Sequence, residues 1–332
     1  MTPMDEILSI EDLSISFGSR KKRVEVVSRV SLDIKRGEIV CLVGESGCGK
    51  TVTALSIMGL LPIPPASVDS GTIKFNGVDL LKLNDNQLRS YRGNKISMIF
   101  QEPVSSLNPV FTIGEQIGEA IRTHKDVRRA EERKRVIELL DMVGIPGAEK
   151  RYNSYPHELS GGMCQRVMIA MALSCDPELL IADEPTTALD VTIQASILEL
   201  ILDLRDRLDM AVLLITHDLG IVSQIGDRVY VLYAGKVAEQ GSVDDIFSNT
   251  SHPYTYGLLS SVPTIYEKKE KLDSIKGVIP NPEDFPKGCR FNNRCGIAVQ
   301  KCFDDSPSLF RIDDEHYSAC FRSNEIDKLK NE

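Results

Sequence analysis

The feature that most constrains this chain is a glycine-rich loop at residues 44–51, with the sequence GESGCGKT. It directly follows Ile39–Val43, a continuous apolar run that predicts a strand buried on both faces, and it precedes a segment of helical pattern. Glycines at this spacing let backbone N–H groups surround phosphate oxygens, and the start of the following helix adds its dipole. The loop therefore predicts a binding site for the phosphates of a nucleotide.

Two side chains complete the predicted phosphate site. Lys50 would place a positive charge on the β- and γ-phosphates, and the Thr51 hydroxyl would bind Mg²⁺. The residues of the loop predicted to hold ATP are Gly44, Ser46, Gly47, Cys48, Gly49, Lys50 and Thr51.

Two adjacent acids follow a second apolar run. Residues 179–182 predict a short buried strand, and Asp183 and Glu184 come directly after it. Such a pair elsewhere is ordinary surface charge, but ligands of open α/β sheets bind at the carboxyl ends of the strands. We therefore expect Asp183 to hold Mg²⁺, usually through water, and Glu184 to polarise the water that attacks the γ-phosphate.

The pattern of the remaining segments predicts an α/β fold. Residues 8–17 alternate as a half-buried strand, and residues 72–82 predict a hairpin with Asn76-Gly77 as its turn. Residues 191–208 have helical spacing between two apolar strands, at 179–182 and 212–216. A strand, helix and strand in this order predict a parallel sheet with right-handed crossovers.

Composition and charge exclude several classes of protein. The formal net charge is -9, which argues against a general nucleic-acid surface. No apolar run approaches the ~20 residues of a membrane helix. The first residues lack the pattern of a secretory signal. We expect a soluble cytosolic chain that meets a membrane only through a partner.

Further segments resemble the ATP-binding cassette of ABC proteins. Residues 159–166, LSGGMCQR, resemble the signature motif, and Gln101 resembles the Q-loop glutamine. Residues 188–190 resemble the D-loop, and His217 resembles the switch histidine. The resemblance implies a P-loop NTPase fold with a parallel-sheet core, an antiparallel β subdomain and a helical subdomain.

The implied domain boundaries follow from this resemblance and from a change of composition after Gly241. The cassette is predicted to cover residues 1–250, with the helical signature subdomain at about 102–175. Residues 251–288 are predicted to form a linker arm, and residues 289–332 a small Cys-rich C-terminal extension.

The resemblance also implies how the site works. Two cassettes face head to tail, and each ATP lies between the phosphate loop of one and the Ser160 turn of the other. Phe17 is a candidate for stacking on adenine, and it would equally fit as a core aromatic at a strand end. The implied catalytic residues are Glu184, His217 and Gln101, with Gln101 also sensing Mg²⁺, and the implied nucleotide contacts beyond the loop are Ser160, Gly161, Gly162 and Asp190.

Three segments are similar to ABC importers of dipeptides and oligopeptides. They are residues 101–109 (QEPVSSLNP), residues 183–192 (DEPTTALDVT) and the tail, with its HPYT and GCRFNNRC sequences. This similarity implies an ATPase at the cytoplasmic face of the inner membrane. It also implies a second ABC ATPase subunit, two transmembrane permease subunits and, indirectly, an extracytoplasmic solute-binding protein as partners, with no nucleic acid among them.

The function leaves three alternatives open. Related subunits belong to transporters of nickel, murein peptides or glutathione. The similarity therefore indicates the group of peptide importers but does not determine the solute. The dimer mate is either a homologous ATPase or a second copy of this chain. The rival class is a soluble ABC ATPase acting on nucleic acid or ribosomes, which one cassette, no long heptad run and a negative charge disfavour.

Eight cysteines fall into two groups. Those of the cassette, including Cys48 and Cys164, are predicted to be small core residues. The tail group matches all-cysteine ligation of zinc or of a [4Fe–4S] cluster, and its wide spacing favours iron–sulfur over zinc. Unliganded core cysteines are the alternative, and His316 is expected to be a surface residue rather than a further ligand. The tail cysteines are Cys289, Cys295, Cys302 and Cys320.

Overall fold

The computed structural model of the chain describes residues 6–19, 22–187, 189–261 and 275–331. The chain divides into two compact units. The central unit comprises residues 82–214 with residues 6–7 and 35–38, and the flanking unit comprises the described residues of 8–34, 39–81 and 215–331. Within the described ranges, no helix is long and apolar enough to cross a lipid bilayer.

The described residues form strands and helices in a mixed order along the chain. The strands are β1 (Glu6–Ser19), β2 (Lys22–Lys35), β3 (Ile39–Val43), β4 (Ala66–Phe75), β5 (Val78–Asp79), β6 (Ile96–Ile99), β7 (Leu179–Asp183), β8 (Ala211–Thr216), β9 (Arg228–Tyr233), β10 (Lys236–Ser242), β11 (Phe310–Asp313) and β12 (His316–Ser318). The α-helices are α1 (Lys50–Ile57), α2 (Asp85–Arg89), α3 (Pro103–Ser106), α4 (Ile113–His124), α5 (Arg129–Met142), α6 (Ala148–Arg151), α7 (Gly161–Ala172), α8 (Val191–Leu208), α9 (Leu219–Ile225), α10 (Val243–Ser248), α11 (Pro253–Ser260) and α12 (Gln300–Asp304). Short 3₁₀ helices cover Leu80–Lys82, Pro156–Glu158, Pro282–Asp284, Asn292–Arg294 and Ser323–Asn331.

One sheet of the flanking unit has the strand order β2-β1-β4-β5. Strands β1 and β4 pair antiparallel, with Leu8 opposite Phe75 and Phe17 opposite Ala66. The predicted turn at Asn76-Gly77 is confirmed, since Phe75 pairs with Val78 across it and both turn residues have positive φ, 47° and 78°. Positive φ at both central residues is the geometry that matches the twist of a hairpin.

The other strands of the flanking unit lie in the order β11-β12-β10-β9-β3. Strand β3 has the predicted bounds and is buried throughout, which fits its unbroken apolar sequence. It pairs parallel with β9, with Val43 opposite Val231. The phosphate loop and α1 follow β3 directly, so this buried strand fixes where the loop begins.

The C-terminal part of the chain differs from the predicted linker and separate extension. Within residues 251–288, Pro253–Ser260 form α11, and its Tyr254 is fully buried. The described residues of the predicted extension belong to the same compact unit as β3 and α1. Strand β12 pairs with β10, with Glu239 opposite Ser318, so the tail continues a sheet of the cassette.

The central unit contains strands in the order β8-β7-β6, and the helices α2 to α8. Strands β6 and β7 pair parallel, with Ile99 opposite Ala182. Strand β7 is buried along its whole length, and α8 has the predicted bounds, Val191–Leu208. Within the predicted helical subdomain at about 102–175, α4 and α5 are two separate helices.

Candidate functional site

The glycine-rich loop has a backbone that only glycine fits at its first position. Gly44 has φ +148°, and a Cβ built there would lie 2.2 Å from the carbonyl oxygen of Leu232. Because that oxygen belongs to the neighbouring backbone, a side chain would displace the loop. Gly47 also has positive φ, +81°, but a Cβ there would meet nothing within 4 Å. The loop is therefore anchored against a strand end and open at its middle.

Lys50 lies in the loop that the sequence predicts it to serve. Its side chain is buried, and its Nζ donates to the carbonyl oxygens of Gly44 at 2.8 Å and Glu45 at 3.1 Å. Thr51, in the first turn of α1, is exposed beside it. The hydroxyl of Thr51 is an oxygen ligand of the type that Mg²⁺ prefers.

Phe17 is half-buried at the end of β1. It lines an open cavity of about 520 Å³ together with Val24 and Val26 of β2 and with Asn281–Asp284 of the tail. The cavity leaves room for a flat ring against Phe17. The assignment of Phe17 to adenine stays a prediction.

The central unit brings two predicted catalytic residues together. Gln101 Nε2 donates to Glu184 Oε2 at 3.0 Å, and Thr187 Oγ1 donates to the same oxygen at 2.9 Å. Asp183, the last residue of β7, is buried. Glu184 has φ +46°, an uncommon conformation for a residue with a side chain. These contacts fix the orientation of the Glu184 carboxylate.

The signature segment forms the start of helix α7. Ser160 is the N-cap of α7, and its Oγ accepts from the Met163 N–H at 3.4 Å. The two glycines differ: a Cβ on Gly161 would meet nothing within 4 Å, whereas one on Gly162 would lie 2.9 Å from Ile193. Gly161 leaves the helix start open to a ligand, and Gly162 allows α7 to pack against α8.

Asp190 lies at the N-cap of α8. Its Oδ1 accepts from the Ile193 N–H at 2.9 Å, so the same residue that packs on Gly162 is held by Asp190. The signature and D-loop segments are thus linked through Ile193, whose backbone N–H donates to Asp190 and whose side chain lies against Gly162. Ala188, in the segment that resembles the D-loop, lies outside the described residues.

His217 follows the buried strand β8 and belongs to the flanking unit. Its side chain is exposed. The next residue, Asp218, caps α9 by accepting from the Gly220 N–H at 2.8 Å. The position after a strand end agrees with the predicted place of a γ-phosphate contact, and the role itself stays a prediction.

The cysteines of the cassette are buried, as expected of core residues. Burial raises the pKa of Cys41 to about 12, and burial also raises the pKa of Cys48 and of Cys164. Thiols with raised pKa carry little thiolate at neutral pH and react slowly.

The four tail cysteines line one small cavity of about 10 Å³, with His252 and Phe291 also on its wall. Burial raises the pKa of Cys295 to about 11 and of Cys320 to about 12. In the part of the chain that the structure describes, no group of three or more His, Cys, Asp or Glu side chains is placed to hold a metal ion. As placed, the thiols do not fit the predicted [4Fe–4S] cluster.

His316 is not the surface residue that the sequence predicts. It is only 1% exposed, and its Nε2 lies 2.9 Å from Oε1 of the fully buried Glu239. The sequence offered no signal for this pair, because the two residues are 77 positions apart.

Two residues that contact the phosphate loop were missed by the sequence analysis. The Tyr254 hydroxyl accepts from the Glu45 N–H at 2.8 Å, and the Arg294 guanidinium pairs with the Glu45 carboxylate. Tyr254 stands in the HPYT sequence and Arg294 in the GCRFNNRC sequence. Those tail sequences were the available signal, but nothing in them points to the loop.

Comparisons with known proteins match both parts of the chain. The family described as ABC transporter matches residues 27–187. The family described as oligopeptide/dipeptide transporter, C-terminal region, matches residues 238–302.

Two relatives match over nearly their whole length. The oligopeptide transport ATP-binding protein AppD of Bacillus subtilis (strain 168) is 51% identical over 318 residues, 96% of this chain and 97% of the relative. A probable peptide ABC transporter ATP-binding protein, y4tR of Sinorhizobium fredii, is 50% identical over 326 residues, 98% of this chain and 97% of the relative.

A solved structure matches the cassette. It is the dimeric post-hydrolysis state of the ATP-binding cassette MJ0796 bound to ADP and Pi, with a TM-score of 0.64 and 28% identity, covering 71% of this chain and 99% of that chain. The glycine-rich loop, the signature segment and the similarity to relatives over nearly the whole chain lead to one conclusion: this chain belongs to the ABC ATPases, among the ATP-binding proteins that carry the oligopeptide/dipeptide transporter C-terminal region.

Proposed function

We propose that this chain hydrolyses ATP to power a membrane importer of dipeptides or oligopeptides. The observation that carries the proposal is the presence, in one chain, of an intact phosphate loop and of the C-terminal region shared with relatives named as peptide transport proteins. The nickel, murein-peptide and glutathione alternatives remain outcomes of the test below.

The chemistry proposed for the site uses groups that are already oriented. The loop N–H groups and Lys50 bind the β- and γ-phosphates. Glu184, with its carboxylate held by Gln101 and Thr187, accepts a hydrogen bond from the attacking water. It takes the water's proton as the new bond to the γ-phosphorus forms, while the bond from that phosphorus to the bridging oxygen breaks and ADP leaves with that oxygen. His217 is proposed to contact the γ-phosphate.

Magnesium fits the donor set proposed for it. Thr51 offers an exposed hydroxyl, Asp183 a carboxylate at a strand end, and Gln101 an amide oxygen. These are hard oxygen ligands, and Mg²⁺ characteristically takes few protein ligands beside the phosphates. The ion, when bound, neutralises charge on the phosphate oxygens.

The partners are proposed on two supports. The helix start at Ser160 and the open Gly161 form a second anion site, which a neighbouring cassette would use in a head-to-tail dimer. The similar cassette MJ0796 is a dimer in its structure with ADP and Pi. The mate is proposed to be a homologous ATPase, with a second copy of this chain as the alternative. The dimer would bind two permease subunits at the cytoplasmic face of the inner membrane, and a solute-binding protein would act outside.

Co-purification tests this assignment. The tagged full chain, expressed in its source cells, is expected to bring down hydrophobic permease subunits, and the isolated complex is expected to show ATPase activity stimulated by peptides. Recovery of ribosomes or nucleic acid without permeases would favour the soluble ABC ATPase instead. Stimulation by Ni²⁺, by glutathione or by murein peptides, and not by other dipeptides and oligopeptides, would support an importer of that solute instead.

The metal of the tail is proposed as a finer assignment. Four cysteines around one cavity are the donor set of zinc or of a [4Fe–4S] cluster. A cavity of about 10 Å³ is near the volume of one water-sized sphere, so a cluster would require the thiols to move apart. Elemental analysis after anaerobic purification tests this. Iron with broad absorption near ~400 nm would support the cluster, and stoichiometric zinc would support a single zinc ion. A protein that contains no iron and no zinc would refute both assignments.

A further inference from the structure

The C-terminal tail contacts the phosphate loop at Glu45. Arg294 makes a two-pronged contact with the Glu45 carboxylate, with Nη1 to Oε2 at 2.7 Å and Nη2 to Oε1 at 3.0 Å. The Tyr254 hydroxyl accepts from the Glu45 N–H at 2.8 Å. Two tail residues therefore fix both the side chain and the backbone of one loop residue.

The Arg294 side chain is itself held in place. Its Nε donates to the Lys276 carbonyl oxygen at 3.0 Å, and its guanidinium lies 5.7 Å from the ring centroid of Tyr233 and 5.9 Å from that of Phe291. Tyr233 ends β9, and its ring packs against Tyr254 and Phe291, with centroids 4.6 Å and 5.1 Å apart. The aromatic cluster thus connects the arginine to the sheet of the same unit.

This ion pair is far more shielded than the pair that Lys22 makes with Glu283 of the tail. The Arg294 and Glu45 side chains are 6% and 30% exposed, whereas those of Lys22 and Glu283, which also pair, are 72% and 55% exposed. Exposed pairs contribute little because water and salt screen them. A shielded, bidentate arginine–carboxylate contact is stronger and fixes geometry.

Glu45 in turn holds Lys50, the lysine proposed to bind the phosphates. Its carbonyl oxygen accepts from Lys50 Nζ at 3.1 Å, and the Gly44 carbonyl accepts at 2.8 Å. A displacement of Glu45 would therefore move the point from which Lys50 reaches the phosphates. The path from the tail to the lysine is two contacts long.

We propose that Arg294 is a positioning residue for ATP, and that the C-terminal tail is through it a part of the nucleotide site. The proposal rests on the ATPase function proposed above. Arg294 acts on Glu45 and, through the Glu45 carbonyl, on Lys50. If the tail only stabilised the fold, substitution of Arg294 would not weaken nucleotide binding selectively.

Steady-state ATPase assays of the full chain with its partner complex test the proposal. Arg294→Gln is expected to raise KM for ATP about tenfold, equivalent to about 1.4 kcal/mol, with kcat within about threefold of the unchanged protein. Arg294→Lys should recover part of the loss, because a lysine keeps the charge but not the two-pronged contact. The matched control is Arg311→Gln, since Arg311 is a tail arginine paired locally with Asp314.

A double-variant cycle tests whether the pair is the cause. Glu45→Gln should raise KM like Arg294→Gln, and the double variant should be no worse than either single one, since both remove the same contact. Additive effects, or equal effects of Arg294→Gln and Arg311→Gln, would overturn the proposal.

Two readouts are independent of hydrolysis. Amide hydrogen exchange is expected to rise in peptides that cover residues 44–51 in Arg294→Gln and not in Arg311→Gln, and affinity for a fluorescent ATP analogue is expected to fall. If the unchanged protein binds the analogue but does not hydrolyse ATP, the proposed function fails while these readouts still decide the role of Arg294. If Arg294→Gln does not fold, the same exchange and binding measurements on Arg294→Lys decide it.

Discussion

Replacement of Glu184 by glutamine gives the sharpest test of the proposed chemistry. The carboxylate oxygen Oε2 accepts from Gln101 Nε2 at 3.0 Å and from Thr187 Oγ1 at 2.9 Å. Both donors reach one oxygen, so the amide oxygen of a glutamine can accept from both. The substitution therefore keeps the shape and the acceptor, and removes the negative charge.

The expected magnitude follows from these contacts. A neutral acceptor makes hydrogen bonds roughly half as strong as a charged one, so the folded state should lose only about 1 kcal/mol. A positioned general base contributes about 10²- to 10⁴-fold to rate, so kcat should fall about 10³-fold, or about 4 kcal/mol. ATP binding should persist because Lys50 and the loop are unchanged.

Phosphate release and retained nucleotide measure the two effects separately. The matched control is Glu178→Gln. Glu178 comes directly before β7, whereas Glu184 comes directly after it, and Glu178 pairs with Arg36 at 3.0 Å. This control should keep kcat within about twofold, because exposed pairs contribute little. Hydrolysis by Glu184→Gln within about tenfold of the unchanged protein would refute the assignment of the base.

Three further outcomes follow from the geometry. Gly44→Ala should abolish nucleotide binding, as a binding assay would measure, because its Cβ would lie 2.2 Å from a backbone oxygen. A Cβ at Gly47 would meet nothing within 4 Å, so Gly47→Ala should lower the unfolding free energy by only about 1–2 kcal/mol, as denaturant titration would measure. Burial lowers the pKa of His252 from 6.5 to about 4. As pH falls from about 6.5 to about 4, the unfolded protein therefore binds a proton at His252 before the folded protein does, and the folded state loses stability. Urea titrations should show that the unfolding free energy of the unchanged protein falls between about pH 7.5 and about pH 5. In His252→Asn, which keeps an acceptor for the Tyr254 N–H, that fall should be smaller by about 2 kcal/mol. Cys48→Ser should leave KM for ATP within about threefold, because the buried Cys48 holds the loop through its carbonyl oxygen, which accepts from the Gly235 N–H at 2.9 Å.

The elements predicted well were those whose sequence pattern reflects a strong local constraint. The apolar run of β3 and the helical spacing of α8 gave the bounds that the structure has. Asn76-Gly77 gave the hairpin turn because few other residues adopt its backbone conformation. In each case the information lies within a few residues of the element itself.

The tail was predicted less well because its structure depends on distant contacts. Helix α11 has 8 residues and no clear periodicity, and it is fixed by burial of Tyr254. Strands β11 and β12 have 4 and 3 residues, too few for an alternating pattern to stand out. Their pairing with β10 is what makes them strands.

The residues of the candidate site were identified by motif, but their mutual contacts were not. Gln101 and Glu184 are 83 positions apart, and Glu45 and Arg294 are 249 apart. Charged and amide side chains in loops are ordinarily solvated, so their type alone does not announce a partner. Only the fold brings these pairs within hydrogen-bonding distance.

Because β12 pairs with β10, removal of the tail would also remove a strand from a sheet of the cassette. A chain cut after residue 250 would leave the backbone groups of β10 without the neighbour that now covers them, and Glu239 would lose His316 from its buried surroundings. An uncovered strand edge invites association with other chains, and a buried acid without its partner destabilises the fold. An isolated cassette fragment would therefore be prone to aggregation, and its behaviour would say little about the intact subunit.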